Sequence, residues 1–275
     1  MRTEKTEARG AVSAAARRLV EAQATGRACA PIADLIGADD IALAYQVQQT
    51  VTRHRVEGGA RLIGRKIGLT SKAVQSQVGV DQPDFGVLFD DMRYADGEVI
   101  PYGRLLQPKA EAELAFVLGR DITEAGDLRT VREAVELALP AVEIVDSRIA
   151  DWRIGITDTV ADNASSGVFV LAGDGLPVDG FEPADVRMTM RRGTEEVSSG
   201  TGRDCLGDPL NALAWLAATA IDVGAPLRAG EVVLSGALGP MAVVRPGDEF
   251  EVSIEPFGTL TARFSQEQAV GKEEV

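Results

Sequence analysis

One segment, residues 111–118, constrains the fold more than any other part of the sequence. It reads Glu-Ala-Glu-Leu-Ala-Phe-Val-Leu, and this alternation predicts a β-strand. Side chains at i and i+2 lie on one face of a strand, so Glu111 and Glu113 point to the same side. The apolar residues Ala112, Leu114, Phe116 and Leu118 fill the other face. The segment therefore predicts a strand that carries two carboxylates on one face, although a solvated strand face would show the same pair.

The flanking sequence predicts an α+β protein with a mixed, barrel-like or rolled sheet. Residues 6–24 form one expected helix, and a second starts after Asp39-Asp40 and stops at Gly58-Gly59. Further helices are expected at 72–78, at 128–139 and from Asp208-Pro209 to Gly224. Strands are expected at 61–69, 87–89, 98–101, 141–145, 168–171, 232–235, 241–244, 249–254 and 260–264, with a hairpin over 186–199. We expect a helical cap over residues 1–60, a catalytic domain over 61–266 and a disordered tail over 267–275.

Charge and composition limit the possible partners. The formal net charge is −14, which argues against binding to nucleic acid or to an anionic membrane. No apolar run reaches the roughly 18 residues that a membrane span needs, and the N-terminal stretch lacks a secretory pattern, so we expect a cytoplasmic protein. The two cysteines, Cys29 and Cys205, are far apart and are expected to be small buried side chains.

A single histidine, His54, lies at the predicted end of a polar helix, where we expect it to be exposed. A metal site in this chain must therefore be built mainly from oxygen ligands. A third carboxylate, Glu143, interrupts the apolar segment 141–145, and a glutamate in such a run is rarely buried unless it is paired or binds a metal. Glu111, Glu113 and Glu143 are thus a candidate site for Mg²⁺ or Mn²⁺.

Several polar residues are candidates for the chemistry itself. Lys66 lies between Gly64 and Gly68 on one strand face, which leaves room for a ligand, although lysines are more often exposed, as on an edge strand. The loop 79–86 contains Asp81 and Asp84, which are candidates for acid–base work or for simple turn formation. The polar segment 158–167 offers hydrogen bonds from Asn163 and Ser165 to a substrate, or a helix cap. Sequence alone leaves these alternatives open.

Five segments together resemble a known family. They are GRKIGLTSKAVQSQVGVDQPDFGVLF (64–89), QPKAEAELAFVL (107–118), LPAVEIVDSRIADW (139–152), DTVADNASSGV (158–168) and LSGALGPM (234–241). In this order they resemble the 2-keto-4-pentenoate hydratases of the fumarylacetoacetate hydrolase superfamily, over about residues 30–265.

The resemblance implies a β-roll core and a divalent metal, Mg²⁺ or Mn²⁺, held by Glu111, Glu113 and Glu143. It also implies that Lys66 is the active-site lysine and that Asp84 and Asn163 lie in motifs that line the pocket, with Ser165 as a further substrate-binding candidate. Lys109 stands where the family pattern leads us to expect an arginine, which keeps the charge but loses a bidentate donor.

The implied activity is the addition of water to 2-hydroxypenta-2,4-dienoate (2-keto-4-pentenoate), giving 4-hydroxy-2-oxopentanoate in meta-cleavage degradation of aromatic compounds. A rival is 4-oxalocrotonate (2-oxo-3-hexenedioate) decarboxylase, whose substrate has a second carboxylate and calls for another cation; Arg148 and Arg153 are nearby in sequence. A non-catalytic partner subunit is a third alternative, which predicts a broken carboxylate triad. The resemblance also implies a homo-oligomer and leaves open an association with the aldolase of the next pathway step.

Overall fold

Three helices lead into a chain of mostly short strands, which the computed structural model describes over residues 2–71, 75 and 82–266. The helices of at least four residues are α1 (Arg2–Thr25), α2 (Ala33–Ile36), α3 (Ile41–Glu57), α4 (Leu128–Ala134), α5 (Ile156–Ala161) and α6 (Pro209–Asp222). Asp40 caps α3 by accepting from Leu43 N, and Asp208 caps α6 by accepting from Leu210 N. In the described ranges, no helix is long and apolar enough to cross a membrane.

The strands of the described ranges form two sheets. They are β1 (Leu62–Gly68), β2 (Asp84–Phe89), β3 (Arg93–Ala95), β4 (Val99–Ile100), β5 (Lys109–Leu118), β6 (Val135–Val145), β7 (Ser166–Leu171), β8 (Arg187–Arg192), β9 (Glu195–Thr201), β10 (Val232–Ala237), β11 (Ala242–Val243), β12 (Glu249–Glu255) and β13 (Gly258–Phe264). The larger sheet has the order β2-β1-β10-β5-β6-β7-β3, with β11 beside β5, and the smaller has the order β4-β13-β12-β8-β9.

Both sheets are mixed. β1–β10, β3–β7 and β4–β13 are parallel pairs, while the remaining neighbours are antiparallel. The α+β class with a rolled sheet is confirmed. Among the strands that the structure describes, the larger sheet ends at β2 and at β3, so it is not a closed barrel.

The alternation in β5 separates two hydrophobic clusters. Leu114 and Phe116 pack with residues of α6 and of the smaller sheet, such as Leu213 and Val252. Ala115, on the other face, packs with residues of β2, β6, β7 and β10. The glutamates of β5 share the face of Ala115, so the fold places their carboxylates on the inner side of the rolled sheet.

The N-terminal helices pack on α5 through a third cluster. Leu19 of α1 and Val47 of α3 contact a group that includes Ile149 and Val160. These contacts fix α5, which carries a side chain of the candidate site described below. The division of the chain into a cap, a catalytic domain and a tail stays a prediction.

One expected element is wrong in part. The helix predicted over 128–139 ends at Ala134, and the chain continues as strand β6 from Val135. Glu, Ala and Leu in this segment favour a helix, but pairing of Leu137 with Val117 in β5 overrides that preference. Pro140 disfavours a helical conformation at the residue before it, and this is the feature of the sequence that argues against a helix up to Leu139. A second correction concerns the segment 79–86, expected to be a loop, because strand β2 already begins at Asp84. The other expected helices and strands are confirmed, except that residues 72–74, 76–81 and 267–275 lie outside the described residues.

Candidate active site

Three glutamates converge at the pairing of β5 with β6. Glu111 of β5 lies directly opposite Glu143 of β6 in the register, and Glu113 follows two residues later on the same face. Each offers a carboxylate oxygen, and these oxygens all lie within 4.8 Å of one another. The structure thus brings together the three carboxylates that the sequence singled out.

These carboxylates are poorly satisfied by the protein. Glu113 Oε2 accepts from Gly236 N at 2.8 Å, but Glu113 Oε1 and Glu143 Oε1 are buried without a partner among the described residues. Burial, and then the neighbouring charge of Glu143, raises the pKa of Glu111 to about 7. Burial also raises the pKa of both Glu113 and Glu143. Since hard divalent cations bind such oxygens, the residues present fit a Mg²⁺ or Mn²⁺ ion.

Lys66 is buried beside this cluster. Its strand, β1, lies between β2 and β10, so the lysine is not on an exposed edge. Lys66 Nζ lies 3.2 Å from Glu143 Oε2 and donates to the carbonyl oxygen of Ala164 at 3.0 Å. Burial disfavours the ammonium, but Glu143, Asp84 and the other carboxylates outweigh it, so the pKa of Lys66 is raised above its usual range. The lysine is therefore charged when it faces the cavity.

The two glycines that flank Lys66 have a different role from the one expected. A Cβ at Gly64 would overlap the carbonyl oxygen of Val232 in β10, and a Cβ at Gly68 would overlap Oδ1 of Asp84. The space beside the lysine is taken by the chain itself, not left free for a ligand. The glycines allow β1 to approach β10 and Asp84 to approach Lys66.

Asp84 is the second buried acid beside Lys66. Its Oδ2 accepts from Thr159 Oγ1 at 3.0 Å, while its Oδ1 has no partner in the described part of the chain. Burial raises the pKa of Asp84, which favours its protonated form. Thr159 Oγ1 also lies 3.4 Å from Ser165 Oγ. Sequence reasoning missed Thr159, and no local pattern marks it, because α5 and β2 are distant in sequence. Asp81, the other predicted acid of this loop, lies outside the described residues.

Asn163 and Ser165 belong to a strained turn but face different partners. Asn163, Ala164 and Ser165 have φ values of 58°, 50° and 51°, which costs energy for residues other than glycine. Asn163 Oδ1 accepts from Val87 N at 2.7 Å and Nδ2 donates to Val87 O at 2.9 Å. The amide predicted to bind substrate is thus bonded to β2, whereas Ser165 reaches the cavity described next.

A cavity of about 240 Å³ opens over these groups. Its polar wall includes Lys66, Asp84, Glu111 and Ser165. Its apolar wall is formed by Leu69, Val145, Trp152, Ile154 and Met241, and Lys109 stands at the same opening. The combination of a metal-binding cluster, two buried proton-carrying groups and an apolar wall suits a small acid with a short hydrocarbon chain.

A larger cavity, of about 370 Å³, lies behind the turn and is lined by α1, α3 and β7. Its charged groups satisfy one another: Arg148 Nε donates to Asp162 Oδ1 at 2.5 Å, and Arg55 pairs with Asp91 at 2.6 Å. Arg153 is exposed, and its Nε lies 3.7 Å from Asp151 Oδ2. Neither Arg148 nor Arg153 lines the smaller cavity, so neither supplies the cation that a second substrate carboxylate would require.

Comparison with known proteins finds relatives that match most of the chain. Residues 47–265 match the family described as fumarylacetoacetate (FAA) hydrolase C-terminal. The chain is 53% identical to 2-keto-4-pentenoate hydratase 2 of Dechloromonas aromatica (strain RCB), over 93% of this chain and 98% of that protein. It is 43% identical to 2-hydroxyhexa-2,4-dienoate hydratase of Comamonas testosteroni, over 91% of this chain and 96% of that protein. Among solved structures, 4-oxalocrotonate decarboxylase from Pseudomonas putida G7, complexed with magnesium and adipate, has a TM-score of 0.88 at 31% identity, covering 93% and 98% of the two chains.

Proposed function

The chain belongs to the fumarylacetoacetate hydrolase family, and from that premise we propose that it is a metal-dependent hydro-lyase. Its substrate is 2-hydroxypenta-2,4-dienoate, and its product is 4-hydroxy-2-oxopentanoate, formed in the meta-cleavage degradation of aromatic compounds. The observation that carries the proposal is the intact cluster Glu111, Glu113 and Glu143 beside a buried lysine, in a chain 53% identical to a hydratase. The intact cluster also argues against a non-catalytic partner subunit.

The three glutamates would hold Mg²⁺ or Mn²⁺, since carboxylate oxygens are the hard ligands that these ions prefer. When bound, the ion supplies Lewis-acid stabilisation of negative charge on the 2-oxygen of the substrate. Lys66 adds a second positive charge at the same cavity wall, fixed between Glu143 and the carbonyl of Ala164. We assign to Lys66 the orientation of the substrate and the stabilisation of its enolate form.

Asp84 is our candidate for proton transfer. Its Oδ1 has no partner among the described residues, it lines the cavity, and burial raises its pKa, which favours the protonated form. In the first step the dienol loses its hydroxyl proton and gains a proton at C5, which gives the enone. In the second step the oxygen of water bonds to C4 and a proton goes to C3. Ser165 lines the cavity, with its Oγ 3.4 Å from Thr159 Oγ1, and we assign to it a hydrogen bond to the bound substrate.

The test follows the ultraviolet absorbance of 2-hydroxypenta-2,4-dienoate with EDTA-stripped protein, before and after addition of Mg²⁺ or Mn²⁺. We expect the absorbance to fall only with metal, and the product mass to show the gain of one water. In parallel, 2-oxohex-3-enedioate is offered and carbon dioxide is measured. Release of carbon dioxide with little hydration would instead favour the decarboxylase activity of the structurally similar enzyme.

Four further expectations from the sequence stay predictions. They are the binding of substrate by Asn163, a cytoplasmic location, a homo-oligomer, and an association with the aldolase of the next step. Light scattering after size-exclusion chromatography would test the third, and co-elution with the aldolase the fourth.

A further inference from the structure

The charges around the cavity do not balance once a substrate is bound. Three buried or half-buried carboxylates, those of Glu111, Glu113 and Glu143, face one ammonium, that of Lys66. Ionised, as ligands of a metal must be, they leave two net negative charges, which a divalent cation offsets. Asp84, the proposed proton carrier, adds no charge while it is protonated. A substrate carboxylate therefore meets no excess of positive charge unless a further cation is near.

Lys109 is the other cationic residue of the described chain that lines this cavity. It lies on β5 two residues before Glu111, so both side chains leave the same face of the strand. No carboxylate of the described residues lies within 4.0 Å of its ammonium to form an ion pair, unlike Lys66. Its charge is therefore available to a ligand.

Trp152 holds that ammonium in place. Lys109 Nζ lies 4.0 Å from the centroid of the Trp152 ring, in a cation–π contact. The ring is fixed in turn, because Trp152 Nε1 donates to Gln107 O at 3.0 Å and Asp151 N donates to Gln107 Oε1 at 2.7 Å. Asp151 and Trp152 both have positive φ, at 60° and 52°, so this loop holds a conformation that unconstrained residues avoid.

We propose that Lys109, held over Trp152, binds the carboxylate of the substrate. The identity of the substrate rests on the proposed function. That the ligand carries a negative charge is inferred from the cavity alone. Arg148, whose Nε donates to Asp162, and Arg153, which is exposed, do not line the cavity and leave this role to Lys109.

The test measures binding of two ligands that cannot be hydrated, 2-oxopentanoate and its uncharged amide, 2-oxopentanamide. Calorimetry with Mg²⁺-loaded protein compares the unmodified chain, Lys109→Met and Lys109→Arg. We expect Lys109→Met to weaken binding of the acid about 10- to 100-fold, as for loss of a hydrogen bond to a charged group, and to change binding of the amide less than about threefold. Lys109→Arg keeps the charge and is expected to stay within about fivefold for the acid.

Arg153→Met is the matched control, because it removes a cation from the same loop outside the cavity. We expect it to change binding of the acid less than about twofold. Titration with Mg²⁺ alone checks that Lys109→Met has not lost the metal, since removing a positive charge beside Glu111 should leave metal affinity equal or higher. If Lys109→Met weakens the acid and the amide equally, or weakens neither, the proposal is wrong.

These measurements do not depend on turnover. If the chain fails to hydrate 2-hydroxypenta-2,4-dienoate but binds 2-oxopentanoate through Lys109, the proposed function fails and the carboxylate site stands. If hydration is observed and Lys109→Met leaves the KM for the dienoate unchanged, the function stands and the carboxylate site fails.

Discussion

Replacement of Glu113 by glutamine is expected to stabilise the metal-free protein while removing its stabilisation by Mg²⁺. Glu113 is fully buried, and its Oε1 has no partner within the described ranges. Burial, with the nearby charges of Glu143 and Glu111, raises its pKa well above the ordinary 4.5. Burial therefore favours the neutral form of this side chain in the folded protein, whereas the carboxyl ionises freely in the unfolded chain.

The cost of this neutral state sets the size of the effect. A carboxyl whose folded pKa is raised destabilises the fold progressively as pH rises from the unfolded pKa toward the folded one, by about 1.4 kcal/mol per pH unit. For Glu113 at pH 7 the cost is limited by the distance of pH 7 from the ordinary pKa, and is therefore at most about 3 kcal/mol. Glutamine has no such cost; it keeps an acceptor for Gly236 N and can donate to Glu143. For a chain of 275 residues, an unfolding entropy of about 0.6 kcal/mol/K converts this gain into a rise in Tm of at most about 5 °C.

Metal binding is expected to stabilise the unmodified chain but not the variant. At a Mg²⁺ concentration of about 100 times its Kd, the unmodified chain gains about 2.7 kcal/mol, or about 5 °C in Tm. Glu113→Gln loses an anionic ligand, so we expect addition of Mg²⁺ to change its Tm by less than about 1 °C. At pH 5 the advantage of the variant without metal should shrink below about 1 kcal/mol, because the unfolded carboxyl is then partly protonated as well.

Scanning calorimetry of EDTA-stripped protein, with and without Mg²⁺, measures these shifts at pH 5 and pH 7. Glu251→Gln, an exposed position on β12, is the control and should respond to Mg²⁺ as the unmodified chain does. A metal-free Glu113→Gln protein that melts several degrees lower would refute the electrostatic reasoning. A full response of that variant to Mg²⁺ would remove Glu113 from the metal site.

Thr159→Val removes the hydroxyl that donates to Asp84. We expect its kcat for hydration to fall about tenfold or more, while that of Thr159→Ser stays within about twofold of the unmodified chain. Equal rates for the two variants would exclude this hydrogen bond from catalysis. Asn163→Gly keeps the left-handed backbone but loses both bonds to Val87, so calorimetry should show a Tm lower by about 2–4 °C with an unchanged KM, and a raised KM would support a substrate-binding role. Since the pKa of Glu111 is about 7 without metal, protons compete with Mg²⁺ for its carboxylate. The affinity of the site for Mg²⁺ should therefore fall up to about tenfold per pH unit below pH 7. A calorimetric affinity for Mg²⁺ that does not change with pH would contradict this.

The metal cluster could be predicted from sequence because each part of it leaves a local sign. Alternation places Glu111 and Glu113 on one face, and an apolar run marks Glu143 as a buried exception. The buried position of Lys66 could not be settled in this way. Its environment depends on β10, which starts at Val232, far along the chain.

The contacts that orient the other side chains were also beyond the sequence. Asn163 was predicted to face a substrate, but its amide is bonded to Val87, 76 residues away. The contact of Thr159 with Asp84 and that of Lys109 with Trp152 were not predicted, for the same reason. Each arises from the approach of segments that no periodicity connects, whereas periodicity reports only which face of its own element a residue occupies.

The strand order β1-β10-β5 has a consequence for the order in which the enzyme matures. Lys66 of β1 and the glutamates of β5 are both synthesised early, yet β10, from Val232 to Ala237, lies between their strands. A nascent chain that ends before β10 has the lysine and all three glutamates but lacks the strand that joins them. Contacts of such long range form late in folding. The ion pair between Lys66 and Glu143 should therefore appear only once β10 is present, although the three glutamates already adjoin in the local pair of β5 with β6.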